Sequence, residues 1–127
     1  MNIKKIITGL SLLMLLSSGA ANADWGDVYY CQMTHFDEIT LEGEKKSWKL
    51  EKFQFKLDQT KNAMVLGSTG YLRDMVFELV IGQNWPSQEN WYGINRNSMT
   101  YFDNGKHLFT SNGSSGITSI SADCDKF

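Results

Sequence analysis

The chain has 127 residues, with 12 basic and 14 acidic side chains, a net charge of −2, two cysteines and one proline. That size fits one domain around a single core, and the acidic balance argues against a nucleic-acid binder, which needs a basic stripe to neutralise phosphates. The one lysine-rich stretch, Lys45, Lys46, Lys49, Lys52 and Lys56, is interleaved with Glu42, Glu44 and Glu51 and reads as a solvated strand face and loop.

At the start of the chain, Lys4 and Lys5 precede an apolar run from Ile6 to Leu16, and Ser17 to Ala23 ends in Ala-Asn-Ala. This is the layout of a secretory signal with its cleavage site. This apolar core of eleven residues, broken by Thr8, Gly9 and Ser11, is too short for the roughly 20 that span a bilayer, so an anchor is the poorer reading. Residues 1–23 are expected to be a cleaved signal peptide and 24–127 a single β-domain, periplasmic or secreted, monomeric and free of the membrane. Losing Lys4 and Lys5 with that segment takes the net charge from −2 to −4.

Export carries Cys31 and Cys124 into an oxidising compartment, where an even pair is normally joined. A bond between them is expected to tie the first strand to the last, worth on the order of 4 to 5 kcal/mol in the chain-entropy description. A metal site or a reactive thiol would need further ligands or an activating base close in sequence, and neither is present.

Alternation of apolar and polar residues dominates the rest. Val28 to Met33 reads as a first strand and Glu38 to Leu41 as a short second one before the turn Glu42-Gly43-Glu44-Lys45. In "WKLEKFQFKLD", Phe53, Phe55 and Leu57 alternate with Lys52, Gln54 and Lys56, the pattern of a half-buried strand. Ala63 to Leu66 is its hairpin return, and Gly67-Ser68-Thr69-Gly70 ends it. Met75 to Ile81 is a strand with Met75, Phe77, Leu79 and Ile81 on one face; Val76 and Val80 make the other face partly apolar, as in a central or covered strand. The stretch "GQNWPSQENWYG" is an aromatic loop holding Pro86. Trp91 to Asn95, Ser98 to Phe102 and Lys106 to Ser111 form further hairpins, one turned by Asp103-Asn104-Gly105, and Ile117 to Cys124 is the last strand. The expected fold is all-β: a small antiparallel β-barrel or β-sandwich of about eight strands, its first and last strands joined by the disulfide.

The sequence offers little catalytic chemistry. His35 and His107 lie far apart, no nucleophile motif accompanies either, and Ser114 and Ser115 sit in a turn without the G-x-S-x-G spacing. The acids Asp123 and Asp125, with His35, Asp37 and Glu38, could meet at one end of the sheet, but no cation-loop motif is present and they read as surface charge. No metal and no cofactor is expected. Trp85 and Trp91, which bracket Pro86, and the adjacent Tyr92 are the candidate ligand-binding residues. Flat aromatic faces beside Asn84, Gln88 and Asn90 could engage a sugar, an apolar ligand or a protein surface.

Tyr29-Tyr30-Cys31 and Cys124 resemble the layout of the periplasmic inhibitors of C-type lysozyme, small exported β-barrels with Tyr-x-Cys in the first strand and a cysteine in the last. Those inhibitors carry a Ser-x-Gly-x-x-Tyr type loop that enters the enzyme cleft. Here "GSTGYLRD" supplies Ser68, Gly70 and Tyr71 with the tyrosine displaced. The expected function is that of an exported, non-enzymatic binding module for a small molecule, glycan or protein partner. The resemblance implies a periplasmic inhibitor of a cell-wall hydrolase such as C-type lysozyme. A small secreted hydrolase using carboxylates or His107 is the alternative of a different class.

Overall fold

The structure, a computed structural model, describes residues 23–80 and 90–127. Residues 1–22, within the expected signal peptide, and the Trp85–Pro86 stretch lie outside the described residues. Nine strands follow in chain order: β1 (Val28–Thr40), β2 (Lys45–Ser47), β3 (Lys52–Asp58), β4 (Ala63–Leu66), β5 (Val76–Leu79), β6 (Asn90–Asn95), β7 (Ser98–Asp103), β8 (Lys106–Gly113) and β9 (Gly116–Lys126). Every pairing is antiparallel and each strand from β3 onward pairs with the next in sequence. β9 pairs back onto β1, so eight strands close into a barrel and β2 stands outside the ring as an edge beside the far half of β1.

Closure explains why the alternating pattern is so regular. Inward positions of an eight-stranded barrel are filled by side chains, and outward positions meet water. Phe53, Phe55 and Leu57 of β3, Phe77 and Leu79 of β5, and Ile120, Ala122 and Cys124 of β9 all point in and are buried. Phe102, Phe109, Met33 and Met64 complete the core. The interior is full enough that Gly93 of β6 is needed as glycine, since a Cβ there would lie 2.9 Å from the Cβ of Phe77. Val76 and Val80, the second apolar face of the β5 region, point outward and are 39% and 45% exposed.

The disulfide joins Cys31 and Cys124, which are directly opposite residues of β1 and β9 at a sequence separation of 93. The Cys124 N–H donates to Gly105 O on the β8 side, so the pair across β1 is of the non-hydrogen-bonded kind, where side chains lie closest. Both cysteines are buried. No helix among the described residues is long and apolar enough to cross a membrane.

The first strand is longer than the sequence suggests, and the expected separate strand Glu38–Leu41 is its far half, up to Thr40. The reason is a β-bulge. Tyr29, Cys31 and Met33 point inward, the pairing with β9 shifts between Met33 and His35, and the next inward residue is Phe36. The extra residue breaks the period-2 pattern without ending the strand.

Candidate functional site

The same bulge borders a cleft. On its other side β1 pairs with β3 at Gln32↔Lys52 and with β2 at Asp37↔Ser47, one continuous register with Trp48–Glu51 lying opposite Met33–Phe36. Two bonds hold that interruption, Trp48 N–H to Phe36 O at 2.8 Å and Met33 N–H to Glu51 O at 2.9 Å. Between them Lys49 and Leu50 leave the sheet. β4 has already ended at Leu66, so the space beside the interruption is walled by the connection from Gly67 to Met75.

That connection is firmly built. Leu72 is 1% exposed and pins it into the barrel mouth, while Gly67 N–H donates to Gln54 O and Asp74 N–H to Gly67 O. Tyr71 N–H donates to Glu51 Oε1 at 2.8 Å, which ties the two walls together. Gly70 has φ +83°, and a Cβ there would lie 2.9 Å from Glu51 Oε1, so both the turn and the Glu51 contact require glycine.

The resulting cleft has a volume of about 600 Å³ and is lined by Phe36, Trp48, Lys49, Glu51, Gly70, Tyr71 and Arg73. This is within the usual size of small-ligand sites. Phe36 lies at its base, with ring centroids 4.9 Å from Tyr71 and 6.3 Å from Trp48. Trp48 is 50% and Tyr71 44% exposed, so each presents a large part of its surface to solvent. Lys49 and Arg73 bring two cations, and among the described residues neither forms an ion pair.

The aromatic candidates read from the sequence fall elsewhere. β5 ends and β6 begins at the opposite end of the barrel, and Trp85 lies outside the described residues. Trp91 opens the expected strand, β6, but its side chain is 5% exposed and leaves no face for a ligand, with its ring edge-on to Trp25 at 5.0 Å. It faces inward because it occupies the same side of β6 as Gly93. Tyr92, next along, is half-buried on the outer surface opposite Tyr101.

His107 is fully buried on β8 beside Phe53 and Phe55. Its Nε2 lies 2.6 Å from Thr100 Oγ1, and its Nδ1 is buried without a partner. Thr100 can donate its hydroxyl proton to Leu108 O, 3.3 Å away. The neutral ring with its proton on Nε2 then donates to Thr100 and leaves only an unfilled acceptor at Nδ1, less costly than a stranded N–H. Burial holds the ring neutral, with a pKa pushed down from 6.5 to about 4.

His35 is on the outside of the barrel at the bulge. Its Nδ1 lies 2.9 Å from Ser121 Oγ, and Thr34 Oγ1 lies 2.8 Å from the same hydroxyl. Neither histidine lines the cleft, and no carboxylate among the described residues hydrogen-bonds to either. Asp37 accepts from Ser47 Oγ, and Asp123 pairs with Lys106. No group of three or more His, Cys, Asp or Glu side chains among the described residues is arranged to hold a metal ion.

No family model, no curated protein and no solved structure matches the chain. The geometry of the site therefore carries the functional reading.

Proposed function

We propose that this chain is an exported, non-enzymatic binding module, acting in the periplasm or outside the cell, whose contact surface is the cleft between Trp48–Glu51 and Gly67–Met75. The observation that carries this reading is the half-exposure of Trp48 and Tyr71 over Phe36 in a cleft whose two walls are hydrogen-bonded to each other. Among the described residues most of the other aromatic rings are buried in the barrel; Tyr30 and Phe127 are also exposed, but Trp48 and Tyr71 are the exposed rings that share this cleft. Trp, Tyr and Arg are the residue types that dominate binding hot spots, and Trp48, Tyr71 and Arg73 meet here.

A second reading, inhibition of a cell-wall hydrolase such as C-type lysozyme, is favoured by one observation. The Ser68–Gly70–Tyr71 segment that resembles the inhibitors' loop is the exposed wall of this cleft, anchored from below by Leu72.

Trp48→Ala and Tyr71→Ala variants of the mature protein test both readings. Each variant should melt close to the parent, since a half-exposed side chain adds little to the core. Binding should weaken by about 2 kcal/mol or more if these rings are hot spots. Co-sedimentation with isolated cell-wall sacculi reads the first proposal, and protection of cell walls from a C-type lysozyme reads the second. Variants that bind and protect as the parent does would overturn both, and large melting losses would return the two rings to a structural role.

A further inference from the structure

We infer that the ligand of this cleft is an acidic saccharide, a sugar ring that carries a carboxylate; the inference rests on the cleft being the contact surface. Three kinds of group converge there and each makes a separate demand. Trp48 and Tyr71 offer flat apolar faces, which the C–H face of a pyranose can cover. Glu51 keeps one carboxylate oxygen, Oε1, on the Tyr71 N–H and has Oε2 to accept from a hydroxyl group. Lys49 and Arg73 stand at the same cleft without a carboxylate of their own among the described residues.

Other ligand chemistries meet only part of this set. An apolar molecule would cover Lys49, Glu51 and Arg73 without pairing them, which is unfavourable for charged groups. A neutral sugar would satisfy the rings and Glu51 but leave both cations unused. A nucleic acid would bring successive phosphates against Glu51 and a chain of net negative charge. A carboxylated sugar supplies an apolar face, hydroxyl donors and one anion. A cleft of about 600 Å³ has room for a short saccharide segment.

Calorimetric titration of the mature protein with trigalacturonate, with its methyl ester and with an acidic glutamate peptide tests the inference. Trigalacturonate, with a carboxylate on each of its three rings, should bind at least about tenfold more tightly than the ester and weaken as salt is added, since a carboxylate meets exposed cations. Lys49→Gln and Arg73→Gln should each lower that affinity several-fold with unchanged melting, and Trp48→Ala should abolish it. Equal binding of acid and ester, still dependent on Trp48, would overturn the acidic saccharide while leaving the cleft as the contact surface. The same follows if the peptide binds as tightly as trigalacturonate through Trp48. Absence of binding by all three probes would also overturn it, and sacculus and lysozyme binding would then decide the cleft separately.

Discussion

Acid should weaken this fold through one buried residue. His107 is neutral in the barrel, with its pKa lowered from 6.5 to about 4 by burial, whereas in the unfolded chain it titrates near its ordinary value. The folded state therefore binds fewer protons than the unfolded state between those two values. Stability from this residue is fully present above about pH 6.5, falls as pH drops towards 4, and changes no further below that, where both states are protonated. At 1.36 kcal/mol per pKa unit the full loss is roughly 3 kcal/mol, a large fraction of the stability of a small domain. Urea denaturation at pH 7, 6 and 5, above most carboxylate titration, isolates it. The parent should lose on the order of 1 to 2 kcal/mol over that range, and His107→Leu, which removes the titrating ring, should show a markedly flatter profile. Equal slopes in the two proteins would refute this reasoning. So would a flat parent profile, because it would mean that the folded protein accommodates a charged His107.

Reduction of the Cys31–Cys124 bond, or Cys31→Ala with Cys124→Ala, should lower stability by about 2 to 5 kcal/mol by denaturation, since the bond closes a long loop. Trp91→Ala should cost about 3 to 5 kcal/mol, the loss expected of a buried core ring; a melt like the parent's would contradict its placement. Leu72→Ala should destabilise by about 2 to 5 kcal/mol and speed amide exchange selectively across Gly67–Met75, because Leu72 is the pin of that connection. Cleavage after Ala23 predicts that the protein recovered from the periplasm or medium has the intact mass of a chain beginning at Asp24; a mass that retains residues 1–23 would refute it.

The strands were legible wherever one face is buried and the period stays at two. Phe53, Phe55 and Leu57 gave β3, and Asp103-Asn104-Gly105 gave the turn from β7 to β8. The terminal-strand cysteines fit a barrel or a sandwich alike, because a disulfide can also join facing sheets; the pairing of β1 with β9 around Cys31 and Cys124 is what closes the barrel. The cleft was less legible because it arises where two strands change phase. Inward residues run Tyr29, Cys31, Met33 and then Phe36, while Trp48 and Leu50 are out of step with Phe53, and the two breaks face each other across the sheet. In the sequence the first break reads as the gap between two strands, and only the folded register sets it opposite the second. Trp91 opens the expected strand Trp91–Asn95, and its alternation with Gly93 turns it into the barrel, whereas its nearness to Pro86 points to a loop contact. The Ser68–Gly70–Tyr71 segment stands out in the sequence through its resemblance, whereas Lys49, Glu51 and Arg73 are brought beside it only by the fold.

Amide chemical-shift mapping of the labelled mature protein, titrated in turn with trigalacturonate, solubilised cell-wall fragments and a C-type lysozyme, tests the contact surface most directly. A binding module that works through this cleft should show shifts concentrated at Phe36, Trp48–Glu51 and Gly67–Met75 with at least one of these partners. Shifts confined to the outer face around Tyr92, Met99 and Leu108, or none with any partner, would contradict it.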